Sequence, residues 1–145
     1  MNRIAKTLND IVRLRKSKDI IEISLKNCDD FICRNMMCEM VTETCLCKID
    51  KAIAMLEHPL SIETFDISFN NLTKVPPSIS LFKNLKVINL SNNRLEQFPA
   101  DVLQDVAKDN FKMLEVLDLR NNPINKDQIQ AIYLKYPNIR DKILL

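Results

Sequence analysis

The sequence predicts an α/β solenoid, a short right-handed horseshoe whose parallel strands line a concave sheet. The first observation is an eleven-residue pattern that occurs three times, with apolar residues at positions 1, 4, 6 and 11 and asparagine at position 9. The second is proline at matching offsets after two copies, in VPPSI at 75–79 and FPADV at 98–102. The third is the spacing, because the first two copies start 23 residues apart, at Ile62 and Leu85.

Each copy of the pattern predicts one short strand. Positions 4 and 6 follow the two-residue alternation of a strand. One strand cannot bury its apolar side chains alone, so neighbouring copies are expected to stack and bury them together. The copies are Ile62-Phe65-Ile67-Asn70-Leu72, Leu85-Ile88-Leu90-Asn93-Leu95 and Leu114-Leu117-Leu119-Asn122-Ile124.

The asparagine at position 9 predicts a structural ladder formed by Asn70, Asn93 and Asn122. Where the chain leaves a strand, backbone groups would be buried without partners. A carboxamide carries both donors and an acceptor, so it can satisfy groups of its own coil and of the adjacent one. Each rung is therefore expected to be needed for stability.

The three copies and the two prolines resemble the typical intracellular leucine-rich repeat class with its LPxxI signature, found in the Ras-group and related short repeat proteins. The resemblance covers residues 60 to 125 most strongly. It implies a leucine-rich repeat solenoid that recognises another macromolecule, since stacked repeats form an extended binding surface. A further, degenerate copy is predicted at Ile20, Ile23 and Leu25, with Cys28 in place of the asparagine.

The 145 residues are predicted to form one domain with a cap at each end of the stack. The N-terminal cap is assigned to residues 1–18, with an amphipathic helix over 2–16 whose apolar stripe begins at Ile4; a helix that binds a membrane surface or a partner is the alternative. About four to five repeats occupy residues 19–125. Residues 126–145 are assigned to a C-terminal helical cap.

Two stretches depart from the regular spacing. Residues 31–61 are predicted to be an irregular insertion closed by a helix at 48–57, with a cryptic repeat near 41–50 as the alternative. A convex helix at 101–107 would account for the longer spacing before Leu114.

Composition argues against several function classes. Glycine is absent, which excludes glycine-rich phosphate loops and the nucleophile elbow. His58 is the only histidine and lies next to a proline, so no catalytic residue and no cofactor are predicted. The net charge of +2 is too small to indicate a nucleic-acid partner. No apolar run approaches the roughly 20 residues of a membrane span.

The five cysteines lie between Cys28 and Cys47 and contain no CxxC pair. This spacing does not match a structural zinc site, so no metal is predicted. The odd number of cysteines favours reduced thiols inside the cell. We therefore expect a cytoplasmic protein, with the nucleus as the alternative, that is a monomer on its own.

Positions 3, 5, 7 and 8 of each copy are expected to face the concave side, where a partner would bind. Aromatic residues and arginine are frequent interface anchors, so Phe69 and Arg120 are the first candidates. Phenylalanine and asparagine are both common at position 8 of the class it resembles, so a consensus role for Phe69 is the alternative. The predicted partner-binding residues are Glu22, Ser24, Lys26, Thr64, Asp66, Ser68, Phe69, Val87, Asn89, Ser91, Val116, Asp118 and Arg120.

The predicted function is a non-enzymatic module that binds a protein or peptide through its concave strands. About four strands at ~4.8 Å each span roughly 20 Å, which suits a helix, a loop or a peptide. The alternative is a structural or regulatory subunit of a larger complex that docks through its caps and the 31–61 insertion.

Overall fold

The computed structural model describes residues 3–28, 45–100 and 113–145. Within these ranges the central element is one six-stranded sheet, in which each strand pairs in parallel with the next strand along the chain. The predicted α/β solenoid is therefore confirmed. The strands are β1 (Arg3–Ala5), β2 (Ile20–Ser24), β3 (Thr64–Asp66), β4 (Val87–Asn89), β5 (Val116–Asp118) and β6 (Ile143–Leu144).

Within the described residues, helical segments follow β1, β2, β3 and β5 and contribute buried side chains to the core. The α-helices in the described ranges are α1 (Leu8–Arg13), α2 (Cys47–Ala54) and α3 (Lys126–Lys135). Short 3-10 turns at Pro59–Ser61, Pro77–Leu81 and Pro137–Ile139 each begin with proline. Proline suits that position because the N–H group it lacks would have no partner within the helix.

The core lies between the sheet and these helical segments. Ile23, Phe65, Ile88 and Leu117 stand next to one another in successive strands, and all four are fully buried. The ring of Phe65 packs edge-on against the ring of Phe82, with the ring centroids 5.7 Å apart. The strands β2, β3, β4 and β5 thus each contribute position 4 of the pattern to one continuous apolar column, which no single repeat could bury alone.

The asparagines at position 9 bond neighbouring coils to one another. The Asn93 Oδ1 atom accepts hydrogen bonds from the backbone N–H groups of Asn70 and Leu72, both at 3.0 Å. Its Nδ2 atom donates to the carbonyls of Leu90 at 3.0 Å and Ile67 at 3.1 Å. One carboxamide therefore satisfies donors and acceptors in its own coil and in the preceding one.

Asn70 and Asn122 bond in the same way. Asn70 accepts from the N–H of Cys28 at 2.9 Å and donates to the carbonyl of Leu25 at 2.9 Å. Asn122 accepts from Leu95 N–H at 3.0 Å and donates to Leu90 at 2.9 Å. Cys28, at the same position of the first copy, makes a weaker hydrogen bond to the preceding coil. Its thiol donates to the carbonyl of Lys6 at 3.5 Å.

The prediction of one N-terminal helix over residues 2–16 is wrong in its bounds. Residues Arg3–Ala5 form β1, and α1 covers only Leu8–Arg13, starting after Thr7, whose hydroxyl accepts the N–H of Asp10 at 3.1 Å. The reason is the open edge of β2, whose backbone groups need partners. The strand β1 supplies them, beginning with the Arg3 N–H, which donates to Asp19 at 2.8 Å.

The stretch between β2 and β3 adds no strand between them, because Glu22 pairs directly with Thr64. Whether residues 31–61 form an irregular insertion or contain a cryptic repeat near 41–50 remains a prediction, because residues 29–44 lie outside the described part of the chain. The predicted helix at 48–57 is present as α2, with Ile49 and Ile53 buried in the core. Asp50 ties it to the next repeat by accepting the Ser78 hydroxyl at 2.6 Å.

The C-terminal helix is confirmed as α3, but the strand β6 after it was not predicted. Ile143 pairs with Leu117, so the tail adds a strand beside β5. The convex helix predicted at 101–107 lies outside the described residues, and the proposed cap and repeat boundaries remain predictions. No helix in the described ranges is both long enough and apolar enough to cross a membrane.

The ladder yields a test of stability. In Asn93→Ala, the buried N–H groups of Asn70 and Leu72 lose their acceptor, so we expect the free energy of unfolding to fall by about 1–3 kcal/mol. Urea denaturation followed by circular dichroism measures it. Asn138→Ala is the matched control, because Asn138 is exposed in the turn after α3. Equal stability of the two variants would contradict the ladder's role.

Candidate functional site

The candidate site is the face of β2–β5 that points away from the core, called here the concave face. Alternate residues of a strand point to opposite faces, so positions 3 and 5 share the face opposite the buried position 4. The strand register aligns them in two rows. The position 3 row is Glu22, Thr64, Val87 and Val116, and the position 5 row is Ser24, Asp66, Asn89 and Asp118.

The predicted binding residues differ in how much surface they offer. Lys26, Phe69 and Arg120 are exposed, whereas Ser68, Ser91 and Asp118 are buried. The remaining seven are half-buried, namely Glu22, Ser24, Thr64, Asp66, Val87, Asn89 and Val116.

Positions 5 and 7 are bonded to each other at the strand ends. The Asp66 Oδ1 atom accepts the Ser68 N–H at 2.9 Å and the Ser68 hydroxyl at 2.7 Å. Asn89 and Ser91 repeat this pair at 3.0 Å and 2.7 Å. The hydroxyls of Ser68 and Ser91 are therefore buried and already bonded, which makes these two serines the least accessible of the predicted binding residues. Their role in binding remains a prediction.

In the copy that contains β5, position 5 is Asp118 and position 7 is Arg120, and the aspartate orients the guanidinium of the arginine. Arg120 donates to Asp118 through Nε at 3.0 Å and through its terminal nitrogen at 2.7 Å. These hydrogen bonds and the adjacent positive charge hold the pKa of the Asp118 carboxyl below its usual value and raise the pKa of Arg120. The carboxylate is 7% exposed and the arginine side chain 57%, so the cation lies outside the anion that orients it.

Position 8 has a left-handed backbone in all four copies. The φ angles are +52° at Asn27, +60° at Phe69, +57° at Asn92 and +60° at Asn121. Asparagine adopts this conformation readily, whereas for a bulky residue it costs roughly 1–2 kcal/mol. Phe69 is thus the one strained member of the row, and its side chain is 47% exposed rather than buried.

The neighbours of this row hold its side chains in place. The Lys26 ammonium lies 5.1 Å from the centre of the Phe69 ring, within the range of a cation–π contact. The Asn121 side-chain amide donates to the Asn92 Oδ1 atom at 3.0 Å. The exposed rim of the sheet is therefore ordered before any partner arrives.

Sequence reasoning missed the two ends of the concave face. Ile4 of β1 pairs with Glu22, and Leu144 of β6 pairs with Asp118, so each extends one row by a strand. Both are exposed, at 44% and 41%. These strands are two and three residues long and do not repeat the pattern, so only the pairing reveals them.

A cavity of about 560 Å³ lies on the other side of the sheet, next to the core. Val75, Phe98, Ala100 and Ile132 are among its lining residues. Because the chain after Ala100 lies outside the described residues, we assign the cavity no ligand. Within the described residues, no group of three or more His, Cys, Asp or Glu side chains is placed to hold a metal ion.

The parallel stack and its asparagine ladder define a class of protein, and comparison with known proteins agrees with it. Residues 61–124 match the family model described as leucine rich repeat. The chain is 35% identical over 74 residues to leucine-rich repeat-containing protein 51 of Bos taurus, a match that covers 51% of this chain and 36% of the relative. The human protein of that name is 33% identical over 78 residues, covering 53% and 38%.

A solved structure of a leucine-rich repeat protein from Leptospira interrogans has the same fold. It superposes with a TM-score of 0.59 and 24% identity over 99% of this chain and 29% of that one. The chain therefore has the leucine-rich repeat fold, and its residues 61–124 carry the repeats that the family model describes. Proteins built from such repeats generally serve protein–protein interaction. It matches only about 36–38% of the length of these curated relatives, and the typical intracellular repeat class remains a prediction.

The Asp118–Arg120 pair predicts a pH dependence. Because its folded-state pKa is lowered, Asp118 contributes stability above the unfolded value of about 3.9, and this contribution is lost as pH falls through the folded pKa. We expect Asp118→Asn to lose less stability than the wild type between pH 5 and the acid range, measured by urea denaturation at each pH. Asp141→Asn removes the same charge at an exposed position. Identical pH profiles for Asp118→Asn and the wild type would contradict this.

Proposed function

We propose that this protein binds a segment of a partner protein across its concave face, with Phe69 as the anchor. The observation that carries the proposal is the conformation of Phe69. Its φ angle is +60°, its ring is 47% exposed, and the three equivalent positions hold asparagine. The fold can therefore make this turn without a phenylalanine.

A strained residue persists where the surrounding structure enforces it, and such residues cluster at functional sites. The backbone strain at Phe69 is not offset by burial of its ring in the core, whereas the rings of Phe65 and Phe82 are completely buried. An exposed aromatic ring that a partner could cover is a frequent source of binding energy. We infer that the ring is retained for an interaction.

The rest of the face supports the same proposal. Val87 and Val116 are adjacent and half-buried, so they form a small apolar area at the opposite end of the strands from Phe69. Five residues separate position 3 from position 8, and because the chain turns after Asp66 the two positions lie at most roughly 16 Å apart. A helix or an extended peptide could contact both. Because the turns are already bonded, little conformational entropy would be lost on binding.

The proposed protein is a non-enzymatic, cytoplasmic module that is a monomer on its own. The cytoplasmic location rests on the odd number of cysteines. Docking of the caps and the 31–61 insertion onto a larger complex remains the alternative from the sequence. Residues 31–44 of that insertion lie outside the described part of the chain.

The variant Phe69→Asn separates binding from folding. It restores the residue found at the other three positions and relieves the strain, while losing the exposed contact with Lys26, which is worth about 0.5–1 kcal/mol. We expect the free energy of unfolding to stay within about 1 kcal/mol of the wild type or to rise. We expect partner proteins captured from the native cell, quantified by mass spectrometry, to be lost.

The control is Leu134→Asn, which removes an exposed apolar side chain from α3 and should leave capture unchanged. Full retention of every partner by Phe69→Asn would remove the concave-face proposal. A large loss of stability in Phe69→Asn would instead show that the ring serves packing.

A further inference from the structure

The turns that follow β3, β4 and β5, called here the rim, contain the exposed side chains of Phe69 and of two arginines. Arg94 lies in the turn after β4, and Arg120 follows β5. The backbone aligns these turns, because Phe69 N–H donates to Ser91 at 3.1 Å and Asn92 N–H donates to Arg120 at 2.9 Å. The aromatic ring, the Asn92–Asn121 amide pair and the guanidinium of Arg120 thus follow one another across three strands.

Two carboxylates at the strand ends are less exposed than the arginines of the rim. Asp118 is buried beneath Arg120, and Asp66 is half-buried and bonded to Ser68. Glu96, two residues beyond Arg94, is the exposed carboxylate in the turn after β4. Of these three carboxylates only Glu96 is exposed, whereas both arginines are exposed. The end of β2 is left out of this site, because the chain beyond Cys28 lies outside the described residues.

The two arginines are oriented differently. Asp118 holds Arg120 through two parallel hydrogen bonds, which leaves the outer N–H groups of the guanidinium for a second acceptor. Arg94 is exposed and has no side-chain partner among the described residues. A planar guanidinium with free N–H donors matches the geometry of a carboxylate.

We propose that the partner segment carries an aspartate or glutamate side chain that binds between Arg94 and Arg120, next to an apolar side chain that covers Phe69. This inference rests on the proposed function and names the chemistry of the partner. Exposed cations meeting an exposed anion give electrostatic complementarity, which selects partners and aligns them. The buried Asp118 keeps Arg120 in position for that contact.

The test is selection of displayed random twelve-residue peptides, joined to the carrier at their C-terminus, on the purified full chain. We expect selected peptides to be enriched in Asp or Glu within a few residues of a bulky apolar residue. For one synthetic selected peptide, Arg94→Gln and Arg94→Gln/Arg120→Gln should each weaken binding about tenfold or more, measured by fluorescence anisotropy. Replacing the peptide's acidic residue with its amide should have the same effect.

Lys48→Gln/Lys51→Gln, which removes two positive charges from exposed positions of α2, is the matched control and should bind the peptide normally. If the loss of Arg120 unfolds the chain, the single variant Arg94→Gln still tests the inference, because it leaves the Asp118–Arg120 pair intact. Selected peptides that require Phe69 but show no acidic preference would overturn this inference and leave the proposed function standing. Peptides insensitive to Phe69→Asn would overturn both, and a requirement for a free C-terminal carboxylate would overturn the side-chain assignment.

Discussion

Each turn off a strand of this sheet buries backbone N–H and carbonyl groups that no strand partner can reach. The carboxamides of Asn70, Asn93 and Asn122 satisfy them, and each of these side chains bonds to its own coil and to the coil before it. An unsatisfied buried polar group costs free energy comparable to the whole gain from a hydrogen bond. The stack therefore depends on these bonds as well as on its apolar column.

The same turns shape the surface that a partner would meet. Once position 9 is held inward, position 8 adopts a left-handed backbone and position 7 lies beside the position 5 side chain. The hydroxyls of Ser68 and Ser91 are already hydrogen-bonded and buried, whereas the side chains of Phe69 and Arg120 are exposed. The rim is consequently rigid, and its few projecting side chains have fixed positions relative to one another. A surface ordered in this way would lose little side-chain entropy on binding the proposed partner segment.

The repeat pattern was sufficient to predict the sheet, because the alternation at positions 4 and 6 and the asparagine recur at constant spacing. It could not reveal that Ser68 and Ser91 are buried, since a serine beside an aspartate or asparagine looks like an exposed polar pair in sequence. It also failed for β1, because Ile4 falls on a helical apolar stripe by spacing but lies beside Glu22 in the sheet. The conformation of Phe69 was equally inaccessible, because φ follows from the turn and not from the residue type.

The most direct measurement of the central claim is backbone hydrogen–deuterium exchange of the full chain with and without its captured partner. If the partner lies on the concave face, protection on binding should appear in the turns after β3, β4 and β5, around Phe69, Asn92 and Arg120. The α3 helix should exchange at the same rate in both states. Protection confined to α1, α2 and α3, with the three turns unchanged, would contradict the account.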